Sequence, residues 1–192
     1  MRTANISRKT KETAIELSLD LDGKGAADIC TGVGFLDHML NLFAAHSRMD
    51  LTLRCDGDLS VDPHHSIEDI GIALGLALKE SLGEKKGIAR YGSALIPMDE
   101  ALAEAALDLS GRAFLVFNAD FSVDRIGEFP TEMTEEFFRA LAFNAGFTLH
   151  LNVRCGKNNH HIAESLFKAF AHALKAAVRK EGEEILSTKG VL

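Results

Sequence analysis

The sequence of 192 residues predicts an α+β fold made by internal duplication. The motif HHxxE occurs twice, 96 residues apart, and strand and helix patterns recur in the same order around each copy. Eight residues separate Cys55 from His64, whereas four separate Cys155 from His160 in the matching place. A loop that varies in length between matched elements is typical of a duplicated unit. We therefore expect a single domain over residues 1–192, with pseudo-repeats of about 1–90 and 91–192.

The first half is predicted to contain three strands and two helices. Apolar residues at every second position from Ile15 to Leu21 indicate a strand with one buried face. A turn at Asp22 and Gly23 would join this strand to the next one in a hairpin. The predicted strands cover residues 11–22, 28–31 and 50–55, and the predicted helices cover residues 35–45 and 67–82.

The second half repeats this order after a connecting segment. Residues 82–92 contain three glycines and three basic residues, which predicts a connector between the halves. Ser110, Gly111 and Arg112 form the predicted turn between the first two strands that follow. The predicted strands cover residues 101–109, 113–121 and 148–155, and the predicted helices cover residues 134–145 and 160–180.

Composition and charge exclude several classes of protein. No apolar run approaches the roughly 18 residues that a membrane span needs. The N-terminal residues lack the apolar region of a secretory signal, so we expect a cytoplasmic protein without a membrane segment. Three cysteines without CxxC spacing indicate reduced thiols rather than disulfides or a structural zinc site. A net charge of −7 is against nucleic-acid binding, which needs a basic surface.

The repeated HHxxE motif indicates metal binding. If a helix begins near the histidine pair, the glutamate lies one turn later and shares a face with one histidine. Neighbouring helical residues diverge by about 100°, so the two rings of one pair would serve two ions rather than one. Imidazole and carboxylate donors suit Mn²⁺, Fe²⁺ or Zn²⁺. A single copy fits a polar helix start as well, but helix capping would not select the same three residues twice. The motif residues are His64, His65 and Glu68, and then His160, His161 and Glu164.

Two further ligands are predicted from their place in the repeat. His38 precedes His64 by 26 residues, and Glu136 precedes His160 by 24 residues. Taken alone, His38 is more typical of a core histidine on an apolar helix. The matching position of Glu136 in the second half makes both residues candidate ligands, one in each repeat.

Basic residues beside glycines or hydroxyl groups indicate a binding site for a small anion. Guanidinium groups and lysine ammonium groups bind phosphate oxygens well, although each residue alone is typical of an ordinary surface charge. No Walker-type GxxxxGK[ST] and no complete GxGxxG are present, so nucleotide binding is not indicated. The candidate anion-binding residues are Arg90, Arg112, Lys168, Ser187 and Lys189.

Several long motifs carry a resemblance to a known family. GFLDHML, DPHHSIEDIGIALG, MDEA, LDLSGR, TLHL and NHHIAESLFKAFAHAL occur in this order over nearly the full length. On these motifs the chain resembles the imidazoleglycerol-phosphate dehydratase family. The resemblance implies dehydration of imidazole glycerol phosphate to imidazole acetol phosphate in histidine biosynthesis. It also implies two Mn²⁺ ions per active site, which would stabilise an imidazolate and a diazafulvene-like intermediate.

The resemblance also implies roles for individual residues. Glu12 would be the acid/base residue and a substrate contact, and the five anion-binding candidates would contact the substrate and its phosphate. The family pattern often has histidine at the position of Glu136, where a carboxylate can also coordinate a metal. The implied metal ligands are His38, His64, His65, Glu68, His160, His161 and Glu164.

The family's architecture gives further expectations. The resemblance implies two βαβ-type half-domains, each a four-stranded sheet with helices packed on one face. It implies a homo-oligomer, a shell of 24 subunits with active sites at subunit interfaces. Two other functions stay open on the residues alone. Paired metals also activate water, so a dinuclear metallohydrolase is the alternative enzyme. A metal-dependent assembly protein without catalytic activity is the alternative outside enzymes.

Overall fold

A computed structural model describes residues 2–190 and 192, which form ten strands and four helices. Among these residues, no helix is both long enough and apolar enough to cross a membrane. The first half contains β1 (Thr3–Lys9), β2 (Thr13–Asp20), β3 (Ala27–Cys30), α1 (Gly34–Ser47), β4 (Asp50–Gly57) and α2 (His64–Leu82). The second half contains β5 (Tyr91–Met98), β6 (Ala101–Asp108), β7 (Phe114–Asn118), β8 (Arg125–Ile126), β9 (Phe129–Pro130), α3 (Met133–Ala145), β10 (Thr148–Cys155) and α4 (Asn159–Ala177).

Each half builds one four-stranded sheet with the same topology. The strand order is β1-β2-β4-β3 in the first sheet and β5-β6-β10-β7 in the second. In each sheet the first three strands are antiparallel and the last one is parallel to its neighbour. The parallel strands are joined through α1 or α3, which makes a βαβ unit. The predicted duplicated α+β fold with two four-stranded sheets is therefore confirmed.

The helices of both halves pack between the sheets and against each other. α2 packs on the first sheet and α4 on the second, while α2 also contacts α3 and α1 contacts α4. The α2–α3 contact is close because Gly71 and Gly75 face α3. A Cβ atom on Gly71 would lie 2.7 Å from the Phe137 carbonyl oxygen, and one on Gly75 would lie 2.6 Å from that of Leu141. These contacts between the halves place α2 beside α3 and α1 beside α4.

The structure corrects two expectations about strands. The predicted hairpin between residues 11–22 and 28–31 is wrong, because β3 pairs in parallel with β4, and β2 lies between β1 and β4. The sequence reading also missed β1 and β5, and the predicted connector 82–92 overlaps the start of β5. The missed strands β1 and β5 lie at sheet edges, and two further missed strands, β8 and β9, form a separate two-stranded sheet. Edge strands carry a weak alternation of apolar residues, because they are buried less completely than central strands.

Candidate active site

Both histidine pairs lie at helix starts, where a side chain from the preceding loop fixes the backbone. The Asp62 carboxylate accepts a hydrogen bond from the His64 amide at 2.8 Å. In α4 the Asn158 side chain accepts hydrogen bonds from the amides of His160 at 2.9 Å and His161 at 3.3 Å. The two rings are nearly perpendicular in each pair, at 77° in the first and 82° in the second. The rings of one pair therefore face different neighbours, as the helical geometry predicts.

One group of three candidate metal ligands is assembled where α1 meets α4. Its donor atoms, from His38, His160 and Glu164, all lie within 4.8 Å of one another. The Glu164 Oε2 atom is 3.1 Å from His160 Nε2 and 3.5 Å from His38 Nε2. The Phe35 ring stands edge-on to the His160 ring, with centroids 5.1 Å apart. His38 thus meets the motif of the opposite half and not that of its own half.

Glu164 is the buried member of this group, with 5% of its surface exposed. Burial raises the pKa of the Glu164 carboxyl. The contacts with Lys168 and His160 lower this pKa by more than burial raises it, so the net shift is downward. Lys168 lies one turn later on α4, and its Nζ donates to Glu164 Oε1 at 2.5 Å. A carboxylate that stays ionised beside two imidazoles is a suitable donor set for a divalent transition metal. The residues present therefore fit a metal ion.

The second predicted ligand group is not assembled in the same way. Among residues 2–190 and 192, no other group of three candidate ligands meets within this distance. His64 is exposed, and Glu68 is half-buried one turn further along α2. The Glu136 carboxylate lies 3.5 Å from the Arg139 guanidinium on its own helix. This pairing is favoured because residues three apart on a helix face each other.

The other histidine of each pair is held at Nδ1 by a carboxylate that the sequence reading missed. His65 Nδ1 lies 3.0 Å from Asp58 Oδ2, and His161 Nδ1 lies 2.7 Å from Glu100 Oε2. Donating a hydrogen bond to these carboxylates raises the pKa of both imidazoles. The His161 contact, together with hydrogen bonds from backbone amides, lowers the pKa of Glu100 to about 2. The repeat contained a signal for Glu100, which follows Glu12 by 88 residues and likewise precedes a strand directly.

Glu12 lies in the turn between β1 and β2 and faces His65. The Thr10 hydroxyl accepts hydrogen bonds from the amides of Glu12 at 3.1 Å and Thr13 at 3.0 Å, which shapes the turn. The Glu12 Oε1 atom is 3.9 Å from His65 Nε2. This carboxylate is 54% exposed, so it is open to a ligand or to a neighbouring molecule.

Four of the five anion-binding candidates line one cleft of about 650 Å³. Arg90 has a positive φ of 70°, and its guanidinium makes hydrogen bonds of 2.7 and 3.2 Å to the two carboxylate oxygens of Asp108. It also donates to the Leu186 carbonyl at 2.6 Å, and the Asp108 contact raises the pKa of Arg90. The fifth candidate, Lys168, lies at Glu164 instead. The four residues in the cleft are Arg90, Arg112, Ser187 and Lys189.

The cleft and the histidine groups occupy different places in one chain. The described residues that line the cleft include no histidine and no glutamate. Glu12 and Asp58 line a separate pocket of about 300 Å³. Within the described part of the chain, the cleft is lined by neither Glu12 nor a metal-ligand candidate, and the pocket that contains Glu12 is lined by none of the four basic-cleft residues.

Comparisons with known proteins agree on one family. The sequence model described as imidazoleglycerol-phosphate dehydratase matches residues 31–174. The imidazoleglycerol-phosphate dehydratase of Methanosarcina mazei is 58% identical over 192 residues, covering 100% of both chains. That of Acetivibrio thermocellus is 56% identical over 193 residues, covering 100% of this chain and 99% of its own. The crystal structure of the Staphylococcus aureus imidazoleglycerol-phosphate dehydratase superposes with a TM-score of 0.85 at 43% identity, covering 93% of this chain and 99% of that chain.

Proposed function

Because the chain belongs to the imidazoleglycerol-phosphate dehydratase family and is a lyase, we propose that it dehydrates imidazole glycerol phosphate at a dinuclear manganese site. The reaction is a step of histidine biosynthesis, and its product is imidazole acetol phosphate. The observation that carries the proposal is the group of His38, His160 and Glu164, whose donor atoms lie within 4.8 Å of one another. Membership of this lyase family, together with the assembled donor set, favours a metal-assisted elimination as the reaction.

The metal ligands proposed for the two ions come from both copies of the motif. His38 of the first half joins His160 and Glu164 of the second half in one set. The matching residues with the halves exchanged are Glu136 of the second half and His64 and Glu68 of the first half. The remaining histidines, His65 and His161, would complete the two sets. When bound, two Mn²⁺ ions would supply Lewis acidity to the imidazole ring of the substrate. This chemistry is needed because the C–H bond that breaks has no neighbouring carbonyl to accept electron density.

The chain's own side chains move the proton and hold the substrate. Glu12 is proposed to take the proton from carbon and to return one to the leaving hydroxyl or the product, since its carboxylate is exposed and lies 3.9 Å from His65 Nε2. Lys168 keeps Glu164 ionised and contacts the substrate. The basic cleft suits the phosphate, because three of its side chains are cationic: Arg90, Arg112 and Lys189. Ser187 also lines the cleft. The single carboxylate of Asp108 lies between Arg90 and Arg112 and pairs with both, so the positive charge is in excess. A phosphate held there would orient the ring remotely.

We propose that the active site is completed between subunits of a homo-oligomer, a shell of 24 subunits. The proposal is supported by the separation of the parts, since the basic cleft and the pocket with Glu12 are different cavities of one chain. A reaction that needs the basic cleft, the metal ligands and Glu12 together would then need a second copy of the chain. We further propose that the enzyme acts in the cytoplasm, where its unpaired cysteines would stay reduced.

The test is an assay of the purified protein, stripped of metal and reloaded with Mn²⁺, with imidazole glycerol phosphate as substrate. We expect loss of one water per substrate and no release of inorganic phosphate. Glu12→Gln should retain metal and lose turnover. The matched control is Glu16→Gln, which alters a glutamate of β2 that accepts a hydrogen bond from Ser7 at 2.6 Å. Release of phosphate without dehydration would favour the metallohydrolase, and no turnover at full metal occupancy would reject the dehydratase.

A further inference from the structure

The two halves use equivalent glutamates in different ways. Glu12 directly precedes β2, and Glu100 directly precedes β6, the matching strand of the second sheet. A simple duplication would leave each glutamate beside the second histidine of its own HHxxE motif. Each does lie beside that histidine, but the contact with His161 is a hydrogen bond of 2.7 Å, whereas Glu12 Oε1 is 3.9 Å from His65 Nε2.

Glu100 is held at both of its oxygens. Its Oε2 contacts His161 Nδ1, and its Oε1 accepts hydrogen bonds from the amides of Lys157 at 3.1 Å and Asn158 at 2.7 Å. These amides belong to the short loop that leads from β10 into α4. A carboxylate with this many donors is fixed in position and is not available to move a proton in catalysis.

In the first half, Asp58 takes the position at the histidine instead. Its oxygens lie 3.0 and 3.2 Å from His65 Nδ1. Asp58 is the first residue of the loop between β4 and α2, which is longer than the matching loop of the second half. The amide of Asp58 also donates to the carbonyl of Glu12 at 3.0 Å. The loop insertion therefore provides a carboxylate for His65 and holds the backbone, but not the side chain, of Glu12.

We propose that Asp58 and Glu100 are positioning residues that hold Nδ1 of His65 and His161 and turn each Nε2 toward a metal ion, and that the longer loop thereby frees Glu12 for proton transfer. A metal-binding imidazole commonly donates its other N–H to a carboxylate, which fixes the tautomer and the ring orientation. The inference rests on the proposed function for the role of Glu12. Its metal-binding part stands independently of the reaction. The duplication would then have left one acid/base glutamate per chain, and not two.

The first experiment measures binding of Mn²⁺ to the metal-stripped, intact protein from the electron paramagnetic resonance signal of free Mn²⁺. Asp58→Ala and Glu100→Ala should each weaken Mn²⁺ binding by roughly 10–100-fold, the usual effect of removing such a partner. Asp58→Asn and Glu100→Gln keep a neutral acceptor for the N–H, so they should recover part of the affinity. The control variants Asp28→Ala and Glu104→Ala alter exposed ion pairs with Arg54 and Arg154 and should bind like wild type.

The second experiment separates positioning from proton transfer. With the substrate, Asp58→Ala and Glu100→Ala should need more Mn²⁺ for half-maximal activity and should regain most of kcat when Mn²⁺ is in excess. Glu12→Gln should bind Mn²⁺ like wild type and should not regain kcat at any Mn²⁺ concentration.

The outcomes distinguish the inference from the proposed function. Wild-type Mn²⁺ affinity in both alanine variants would overturn the positioning role, whether or not the protein is a dehydratase. If Glu12→Gln lowered the Mn²⁺ affinity as much as Asp58→Ala, the assignment of positioning to Asp58 and of proton transfer to Glu12 would be overturned. Absence of turnover by wild-type protein with normal Mn²⁺ binding would reject the proposed function alone. Gel filtration of each variant identifies any that fails to assemble, and the conservative Asn and Gln variants then provide the test.

Discussion

Replacing Asp69 by asparagine should weaken both the fold and the placement of Glu12. Asp69 lies on α2 directly after Glu68, and it is 7% exposed. Its Oδ2 atom accepts a hydrogen bond from the Thr13 hydroxyl at 2.5 Å and forms an ion pair with Arg8. Thr13 follows Glu12 in the chain, so this contact ties the turn that carries Glu12 to the helix that carries the first HHxxE motif.

The magnitude follows from these two contacts. A hydrogen bond to a charged group contributes about 1.5–3 kcal/mol to stability. The Arg8 side chain is 26% exposed, so water screens part of its interaction with the carboxylate. Asparagine keeps one acceptor but loses the charge, and we expect the free energy of unfolding to fall by about 2–4 kcal/mol. A typical stability of roughly 5–15 kcal/mol leaves the variant folded. Displacement of Glu12 should lower kcat by roughly 10–100-fold.

The assay is urea unfolding of metal-free protein at one fixed subunit concentration, followed by kcat at saturating Mn²⁺. The control is Asp28→Asn, which alters an exposed ion pair with Arg54 and should cost less than about 1 kcal/mol. Arg8→Met combined with Asp69→Asn should cost less than the sum of the single variants, because they share one contact. An Asp69→Asn protein with wild-type stability and wild-type kcat would refute this account of how the turn is held.

Three further predictions concern the metal, the phosphate and pH. His38→Ala should lower Mn²⁺ affinity in equilibrium binding by at least about 10-fold, because it removes one of three assembled ligands; unchanged affinity would remove His38 from the metal site. Arg112→Ala should raise KM about 10-fold or more with a smaller change in kcat, because its side chain lines the basic cleft away from the reacting carbon; unchanged KM would place the phosphate elsewhere. Burial, and after it the charge of His172, lowers the pKa of His46 in the folded state. Its contribution to stability is therefore full above the unfolded pKa of about 6.5 and is lost as pH falls toward the folded value. Urea unfolding of metal-free protein between pH 7.5 and 5 should show a shallower loss of stability for His46→Gln than for wild type; equal slopes would contradict this.

Much of the fold could be predicted because central elements carry a strong periodic signal. The strand β10 and the helices α1, α3 and α4 lie within three residues of their predicted bounds, since one side of each is fully buried. The edge strands β1 and β5 were missed because they are buried only in part. The predicted hairpin was wrong for another reason. Adjacent strands in a sequence often pair, but here β1 and β4 occupy both edges of β2.

The sequence by itself determined the duplication, the doubled HHxxE motif and the family, because these depend on residue identity and spacing along the chain. Only the tertiary structure decided which residues meet. The packing of α1 on α4 brings His38 to His160 and Glu164 of the opposite half, and the β5–β6 turn brings Glu100 to His161. Such contacts join residues that lie 61 to 126 positions apart. Local periodicity carries no information about them, because they arise from how sheets and helices pack after they form.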